Sequence, residues 1–345
     1  MKSSFDHIIG NDALKKRLAD DILTSRLSHA YIIEGAYGSG KHTLAMSVAA
    51  AIACRKKDDP ASPLPCRDCP SCKKIFDGNS PDVIFVRRED GKATLGVDVI
   101  RELRQDVAIA PNELPVKLYI IEEAHLMTEQ AQNAFLLTLE EPPAYVVFLL
   151  LCETSASLLE TVRSRAPTLR TEPIDTALIG SHLCRISTEA ASLAKASPEE
   201  FGEITAAANG SVGRALDLLD AKKRKPIVAK REAARELVRL CAARRNASAA
   251  VRYLNGLPAK RDDLTDQFQF TLLCLRDLLV CKQTENAPLC FFANREEACA
   301  LAYSFTTPEL LWLCDAVNET VDRLKKSANV RLTLTSFAVR CGLIQ

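Results

Sequence analysis

Five short apolar runs alternate with helical patterns across the first half of this chain, and that alternation restricts its fold more than any other feature. The runs are HAYIIEG (29–35), DVIFV (82–86), KLYIIE (117–122), YVVFLLLC (145–152) and APTLRT (166–171). Each is β-branched or continuously apolar, as in strands buried on both faces. Helical stretches at 41–54, 97–107 and 128–141 lie between them. Strands joined through helices predict an α/β fold with a parallel sheet and right-handed crossovers. Beyond Pro173 the strand signals stop. Residues 175–220 read as short helices with a break at Asn209-Gly210, and the basic, proline-containing run AKKRKPIVAK (221–230) reads as a linker. Helical spacing resumes from about 229 and continues to the end.

The 345 residues allow two or three domains with their own cores. Forty-five basic and 44 acidic side chains nearly cancel, which excludes a surface that is basic all round and confines any nucleic-acid contact to a local patch. The opening MKSSFDHIIGNDALKKRL is amphipathic and charged, without the apolar segment of a signal peptide. No uncharged apolar run reaches the roughly 18 to 20 residues that span a bilayer. The expectation is a cytoplasmic protein that does not enter the membrane. Thirteen cysteines in a reducing compartment divide into metal ligands where they cluster and small core residues where they scatter. Four lie within Cys54 to Cys72. The other nine run from Cys152 onward, in apolar helical contexts such as FTLLCLRDLLVC.

Gly35-Ala36-Tyr37-Gly38-Ser39-Gly40-Lys41 follows one predicted strand and opens a predicted helix, the context that a phosphate-binding loop needs. Glycines let the backbone turn its N–H groups inward around the phosphates of ATP or ADP. Lys41 reaches the outer phosphoryl oxygens and the helix N-terminus adds positive potential. The competing reading is a plain glycine-rich turn. One position departs from the pattern: the residue after the lysine, whose hydroxyl binds Mg²⁺, is His42. Mg²⁺ prefers oxygen ligands in near-ideal octahedral geometry, and Thr43, one residue later, faces another direction. Nucleotide binding is therefore expected with weakened Mg²⁺ retention and little hydrolysis.

Downstream, Lys117-Leu118-Tyr119-Ile120-Ile121-Glu122-Glu123-Ala124-His125 sets two carboxylates at the carboxyl end of an apolar strand. In a P-loop ATPase the first acid helps to hold Mg²⁺ and the second polarises the attacking water. The first is usually Asp, and Glu122 is one methylene longer. Solvated acids ending a strand are the bland alternative.

Two further segments carry a family resemblance. QNAFLLTLEEPP (132–143) resembles the NALLKxLEEP signature of clamp-loader ATPases, and Thr161-Val162-Arg163-Ser164-Arg165-Ala166 resembles their TxxSRC motif. The DEAH-like stretch, the opening FDHIIGNDALKKRL and the RLSHAY lead-in to the phosphate loop are similar to the same family. The likeness covers about residues 5–220, with weaker support to the C-terminus. It implies an AAA+ architecture: a RecA-like parallel-sheet domain (1–172) with a zinc module at 54–72, a helical lid (173–224) and an all-helical collar (225–345). The implied partners are gamma/tau and delta clamp-loader subunits in a hetero-pentamer, the sliding clamp, and primed DNA held by the assembled ring. Arg165 is implied to be an arginine finger acting in the neighbouring subunit's ATP site, with Ser164 orienting its loop. An always-charged, forked guanidinium suits the charge that develops on a transferred phosphoryl group.

Several positions depart from the family pattern. Ala166 stands for its usual Cys and Leu137 for its usual Lys. Asn209-Gly210-Ser211-Val212-Gly213-Arg214 resembles the segment bearing the sensor-2 arginine, but Gly213 holds that position. Arg214, turned about 100° around the helix, reads as an exposed helix arginine. Three readings follow: a clamp-loader subunit with a degraded ATP site, an ATP-hydrolysing gamma/tau-type motor, or a stand-alone P-loop enzyme such as a nucleotide kinase.

Cys54, Cys66, Cys69 and Cys72 stand in Cys-x11-Cys-x2-Cys-x2-Cys spacing. Four thiolates so placed can surround a tetrahedral Zn²⁺, and with no fifth ligand the site is structural. An iron–sulfur cluster or four free core cysteines compete on ligand type. The intervening KKDDPASPLP is too polar for a core, and the family resemblance implies a zinc module here.

Overall fold

Every residue of the strand Val146–Cys152 is buried, and the first half of the chain is layered around it. The computed structural model describes residues 4–243, 247–258, 260–284, 287, 289–292, 294–325 and 329–343. The strands are β1 (Ala30–Glu34), β2 (Val83–Val86), β3 (Lys117–Ile121), β4 (Val146–Cys152) and β5 (Thr168–Arg170). They form one sheet in the order β2-β3-β4-β1-β5, with every pair parallel. Side chains alternate faces along each strand. Tyr31, Ile33, Leu118, Ile120, Val147, Leu149 and Leu151 enter one core, and Ala30, Ile32, Tyr119, Ile121, Phe148, Leu150 and Cys152 enter the other. Continuous apolar runs belong to strands covered on both sides, as the sequence led us to expect.

The helices of this half are α1 (Asp12–Leu23), α2 (Lys41–Ile52), α3 (Pro70–Phe76), α4 (Val97–Val107), α5 (Glu129–Glu140) and α6 (Glu160–Arg163). In α4 the buried residues Ile100, Leu103 and Val107 lie on one stripe at helical spacing. Thr128 caps α5 by accepting the Ala131 N–H at 3.2 Å. Helix α2 is shorter than its sequence pattern, ending at Ile52, so Cys54 lies just beyond it. Because all strands are parallel, the loops after β1, β3 and β4 open at one edge of the sheet. Ligands of open α/β sheets bind at that edge.

The chain divides into two units, Met1–Leu178 with Gly210–Gly213, and Ile179–Asn209 with Arg214–Gln345. Beyond β5 the elements are all helical: α7 (Thr176–Ile186), α8 (Thr188–Ala196), α9 (Pro198–Ala207), α10 (Val212–Leu219), α11 (Ala221–Ala243), α12 (Ala247–Asn255), α13 (Arg261–Gln283), α14 (Arg295–Ala302), α15 (Thr307–Lys325) and α16 (Val330–Arg340). In the second unit α13 packs against α11, α14 and α15 and buries Phe268, Cys274, Leu275 and Leu278. The fully buried Asp277 on α13 accepts backbone N–H groups of Cys290, Phe291 and Phe292 at 2.9, 2.6 and 3.1 Å.

Residues 221–230 are not a linker. They form the first turns of the 23-residue α11, which the Asp220 carboxylate caps by accepting the Lys222 N–H at 2.8 Å. Pro226 lies inside that helix. It forfeits one hydrogen bond near the start without ending the helix, because Ala234, Leu237, Val238 and Cys241 anchor the later turns in the core.

Asp82, just before β2, holds the loop that leads into β3. Its buried carboxylate accepts the backbone N–H groups of Asn112, Glu113 and Leu114 at 2.6, 2.7 and 2.8 Å. Burial alone would raise its pKa, but those three donors outweigh burial and hold it below the ordinary value. Asp82→Ala leaves the donors without their partner and should cost about 3 kcal/mol near neutral pH. Since the folded pKa is depressed, the carboxylate's contribution is complete above the unfolded value of about 3.9 and fades as pH falls through the lower folded one. Denaturant midpoints of the two proteins should therefore differ by a constant amount from about pH 5 to 7 and converge below about pH 4.

Candidate functional site: a phosphate loop with an arginine-capped acid pair

The loop between β1 and α2 has the geometry that its glycines require. Gly38 and Gly40 adopt φ of 70° and 86°, left-handed values that glycine enters without strain. Gly35 is needed for space, since a Cβ there would lie 1.9 Å from Thr171 Oγ1 and 2.6 Å from Ser39 Oγ. Ser39 and Thr171 hydroxyls stand 2.9 Å apart, joining the loop to the end of β5. Lys41 Nζ donates to the Gly35 and Ala36 carbonyls at 2.7 and 2.8 Å. Burial lowers its pKa, partly offset by the nearby Glu153 and Cys152. Thr43 is exposed, its carbonyl accepting the Ser47 hydroxyl at 2.6 Å.

Gly213 belongs to this loop's surroundings. Its N–H donates to the Gly38 carbonyl at 3.0 Å, and a Cβ on it would lie 2.7 Å from Gly38 Cα. The hydroxyl of Ser211 donates to the Tyr37 carbonyl at 3.0 Å. Any side chain at 213 would push the loop aside, so glycine at this position is a packing requirement. Arg214 is not the exposed arginine of the sequence reading. It is half-buried, with its guanidinium 5.8 Å from the Phe270 ring centroid.

Both acids after β3 carry an arginine. Arg87 grips Glu122 with two hydrogen bonds, Nε to Oε2 at 2.9 Å and a terminal nitrogen to Oε1 at 3.1 Å. His42 Nε2 lies 3.4 Å from the same Oε1. Phe85 is the platform for both side chains: His42 stacks on it at 5.4 Å between centroids, and the Arg87 guanidinium sits 5.0 Å from its centroid. Glu123, at a left-handed φ of 48°, accepts from Arg88 Nε at 2.8 Å. The β2–β3 register pairs Val86 with Ile121, so the chain continues with Arg87 beside Glu122 and Arg88 beside Glu123. A Mg²⁺ ligand set does not fit this arrangement. The hydroxyl position holds an imidazole and both oxygens of the acid are engaged by a guanidinium, whereas Mg²⁺ demands oxygens in octahedral array. No motif in the sequence marks Phe85, Arg87 or Arg88. The signal was the paired spacing of two arginines after one strand and two acids after its neighbour.

Arg165, just past α6, bonds elsewhere. Its guanidinium meets Glu140 at 2.7 Å and the Thr161 carbonyl at 3.0 Å. Ser164 Oγ donates to that same carbonyl at 3.0 Å and lies 3.4 Å from Arg165. That set includes no residue of the phosphate loop. Gln132 opens the QNAFLLTLEEPP segment. Buried, its amide donates to the Met127 carbonyl at 3.2 Å and accepts the Leu159 N–H at 2.7 Å, fixing α5 to the segment before α6.

The four clustered cysteines converge. The Sγ atoms of Cys54, Cys66, Cys69 and Cys72 all lie within 4.8 Å of one another, and Cys66 and Cys72 sulfurs are 3.8 Å apart. Four sulfurs at about 2.3 Å from a tetrahedral Zn²⁺ would be separated by roughly 3.8 Å, so the cluster could hold that ion. The Cys69 N–H donates to Cys66 Sγ at 3.3 Å and the Cys72 N–H to Cys69 Sγ at 3.5 Å. Burial raises the Cys54 and Cys72 thiols. At Cys66 burial is outweighed by the N–H groups of Asp68 and Cys69, which bring its thiol down to about 7. The excursion is tied to the core, because Leu64 is buried and its carbonyl accepts the Phe5 N–H at 2.7 Å.

Comparison with known proteins adds a second line of evidence. The family model described as DNA polymerase III, delta subunit, matches residues 10–175. The matched segment is just under half of the chain. The chain bearing it is 34% identical over 219 residues to the DNA polymerase III subunit tau of Bacillus subtilis, covering 63% of this chain and 37% of that protein. It is 32% identical over 217 residues to subunit tau/gamma of Haemophilus influenzae, covering 63% and 30%. It spans about a third of the length of these relatives. A DNA polymerase III gamma subunit-related protein of Thermotoga maritima aligns over 96% of this chain and 99% of its own, at 18% identity and a TM-score of 0.41. No helix among the described residues is long and apolar enough to cross a membrane.

Proposed function

We propose that this chain is a clamp-loader subunit of the bacterial replicase of the delta-prime type, which helps to load the sliding clamp onto primed DNA without being a motor itself. The observation that carries this reading is the Arg87–Glu122 and Arg88–Glu123 pairing beside a phosphate loop that has His42 for its hydroxyl residue. An acid that must polarise water, and one that must hold a metal, are each neutralised by a guanidinium. In this reading Lys41 and the loop amides bind ATP or ADP, and turnover is slight. The protein acts in the cytoplasm beside gamma/tau and delta subunits in a five-membered ring. Residues 1–172 form its ATPase-like domain, 173–224 its lid and 225–345 the collar by which it assembles. Arg165 serves the neighbouring subunit's ATP site.

A second reading, an ATP-hydrolysing gamma/tau-type motor, has the names of the curated relatives in its favour. Steady-state turnover separates the two. The isolated chain should hydrolyse ATP at background rate; a rate equal to that of a purified gamma-type subunit would establish the motor.

We assign Cys54, Cys66, Cys69 and Cys72 to one structural Zn²⁺. Metal analysis should find one equivalent of zinc per chain. Structural zinc in small modules contributes on the order of 10 kcal/mol to folding, so Cys69→Ser should release the ion and loosen the 54–72 excursion. The sheet domain should stay folded. Iron, or no metal at all, would remove the assignment.

For Arg165 the decisive comparison is between the chain alone and the assembled loader. Arg165→Ala should leave folding and the chain's own nucleotide affinity unchanged while lowering clamp- and DNA-stimulated ATP hydrolysis by the assembly. Fingers contribute roughly 10³- to 10⁵-fold at the site they serve, but the other sites of the ring keep working. Total hydrolysis should thus fall in part and coupled clamp loading further. Lysine at 165 should not restore it, since a point charge lacks the planar fork. Wild-type rates from a fully assembled Arg165→Ala complex would remove the finger.

A further inference from the structure

The arrangement around Glu122 disagrees with a magnesium-dependent nucleotide site, and the disagreement has a definite chemical content. We propose that this site takes its nucleoside di- or triphosphate without a divalent cation, with the guanidinium of Arg87 supplying the positive charge that Mg²⁺ would otherwise bring. The inference rests on the nucleotide reading above and goes further, naming the cation and the form of the ligand.

Four observations support it. Both Glu122 oxygens are taken by Arg87 at 2.9 and 3.1 Å. A metal entering here would have to displace that bidentate pair and accept imidazole in place of a hydroxyl, an exchange that Mg²⁺ resists. His42, the first-turn residue of α2 next to Lys41, lies 3.4 Å from the same carboxylate, which places Arg87 at the mouth of the phosphate loop. The Arg87 side chain is 59% exposed, so its outer face remains open to an incoming anion. Finally, Phe85 holds the guanidinium 5.0 Å from its ring centroid, which limits how far it can swing.

The electrostatics are consistent with that division of labour. An acid already neutralised by Arg87 does not repel a polyphosphate, and Lys41 with the N-terminus of α2 adds attraction on the other side. Guanidinium–phosphate pairs form charge-assisted hydrogen bonds, and the exposed outer N–H groups of Arg87 can make one while its Nε and one terminal nitrogen stay on Glu122.

The test is equilibrium binding of ATP and ADP to the full chain, once with excess EDTA and once with millimolar Mg²⁺. The dissociation constants should agree within about threefold, and Arg87→Ala should weaken binding in EDTA by about tenfold or more, the scale of one charge-assisted contact. Arg87→Gln is the second variant, keeping the polar shape but not the charge, and should weaken it as well. Circular dichroism checks that both fold. If Mg²⁺ tightens binding by the wild-type chain about tenfold or more, as a metal-bridged triphosphate requires, the proposal is overturned while the nucleotide reading stands. Metal-independent binding that ignores both Arg87 substitutions overturns Arg87's part. Absence of binding in both conditions removes the nucleotide reading itself and this inference with it.

Discussion

Parallel pairing of β1, β3 and β4 decides where chemistry can occur in this chain. Parallel strands buried on both faces leave their polar residues only at the ends, and the parallel order puts the carboxyl ends together. The register aligns Glu34 with Cys152 and Ile121 with Leu150. Gly35, Glu122 and Glu153 therefore leave the sheet at one edge, whatever their distance in sequence. The phosphate loop, the acid pair and the segment after β4 are consequences of that edge. Lys41, whose ionised form burial disfavours, is held there by two loop carbonyls and the charge of Glu153.

The same register explains what was and was not legible in the sequence. The alternation of β-branched runs with helices gave all five strands to within a residue or two; for β1, β3 and β4, burial on both faces leaves an apolar run that composition alone exposes. The glycine-rich loop at 35–41 was legible because its glycines are demanded by backbone geometry within seven consecutive residues. Arg87 and Arg88 were not, because their partners stand 35 residues away. Their pairing is a property of β2 lying beside β3, and single-sequence periodicity carries no information on which strands are neighbours. The signature becomes visible only once that pairing is known, as two bases and two acids at matched register positions.

The stretch after Asp220 was misread for a related reason. Basic residues and a proline look like a connection when the window is short, since nothing in 221–230 repeats at helical spacing. The helix is nucleated by the Asp220 cap and stabilised by Ile227 on its second turn, which packs against the core, and by Ala234, Leu237, Val238 and Cys241 further along. Helix stability is cooperative, so an anchored C-terminal half extends order into an N-terminal half that would not fold alone. The Gly213 position carries the opposite lesson. A departure from a motif looked like a simple loss, whereas contact with Gly38 makes glycine the residue that fits.

Arg165 presents a choice between partners rather than a vacancy. Its guanidinium pairs with Glu140 at 2.7 Å, and the two side chains are 36% and 45% exposed. Exposed ion pairs contribute about 0 to 1 kcal/mol, which is small against a charge-assisted contact to a phosphoryl group in a water-poor interface. In the finger role proposed for Arg165, Glu140 would hold the side chain in one rotamer without competing strongly for it once a neighbouring phosphate is offered. The Thr161 carbonyl and the Ser164 hydroxyl complete that support. Less rotamer entropy then remains to be lost when the phosphate contact forms. An arginine held ready by a weak, solvent-screened partner can hand its charge to another molecule; one locked in a buried pair could not, because breaking a buried pair leaves an uncompensated charge.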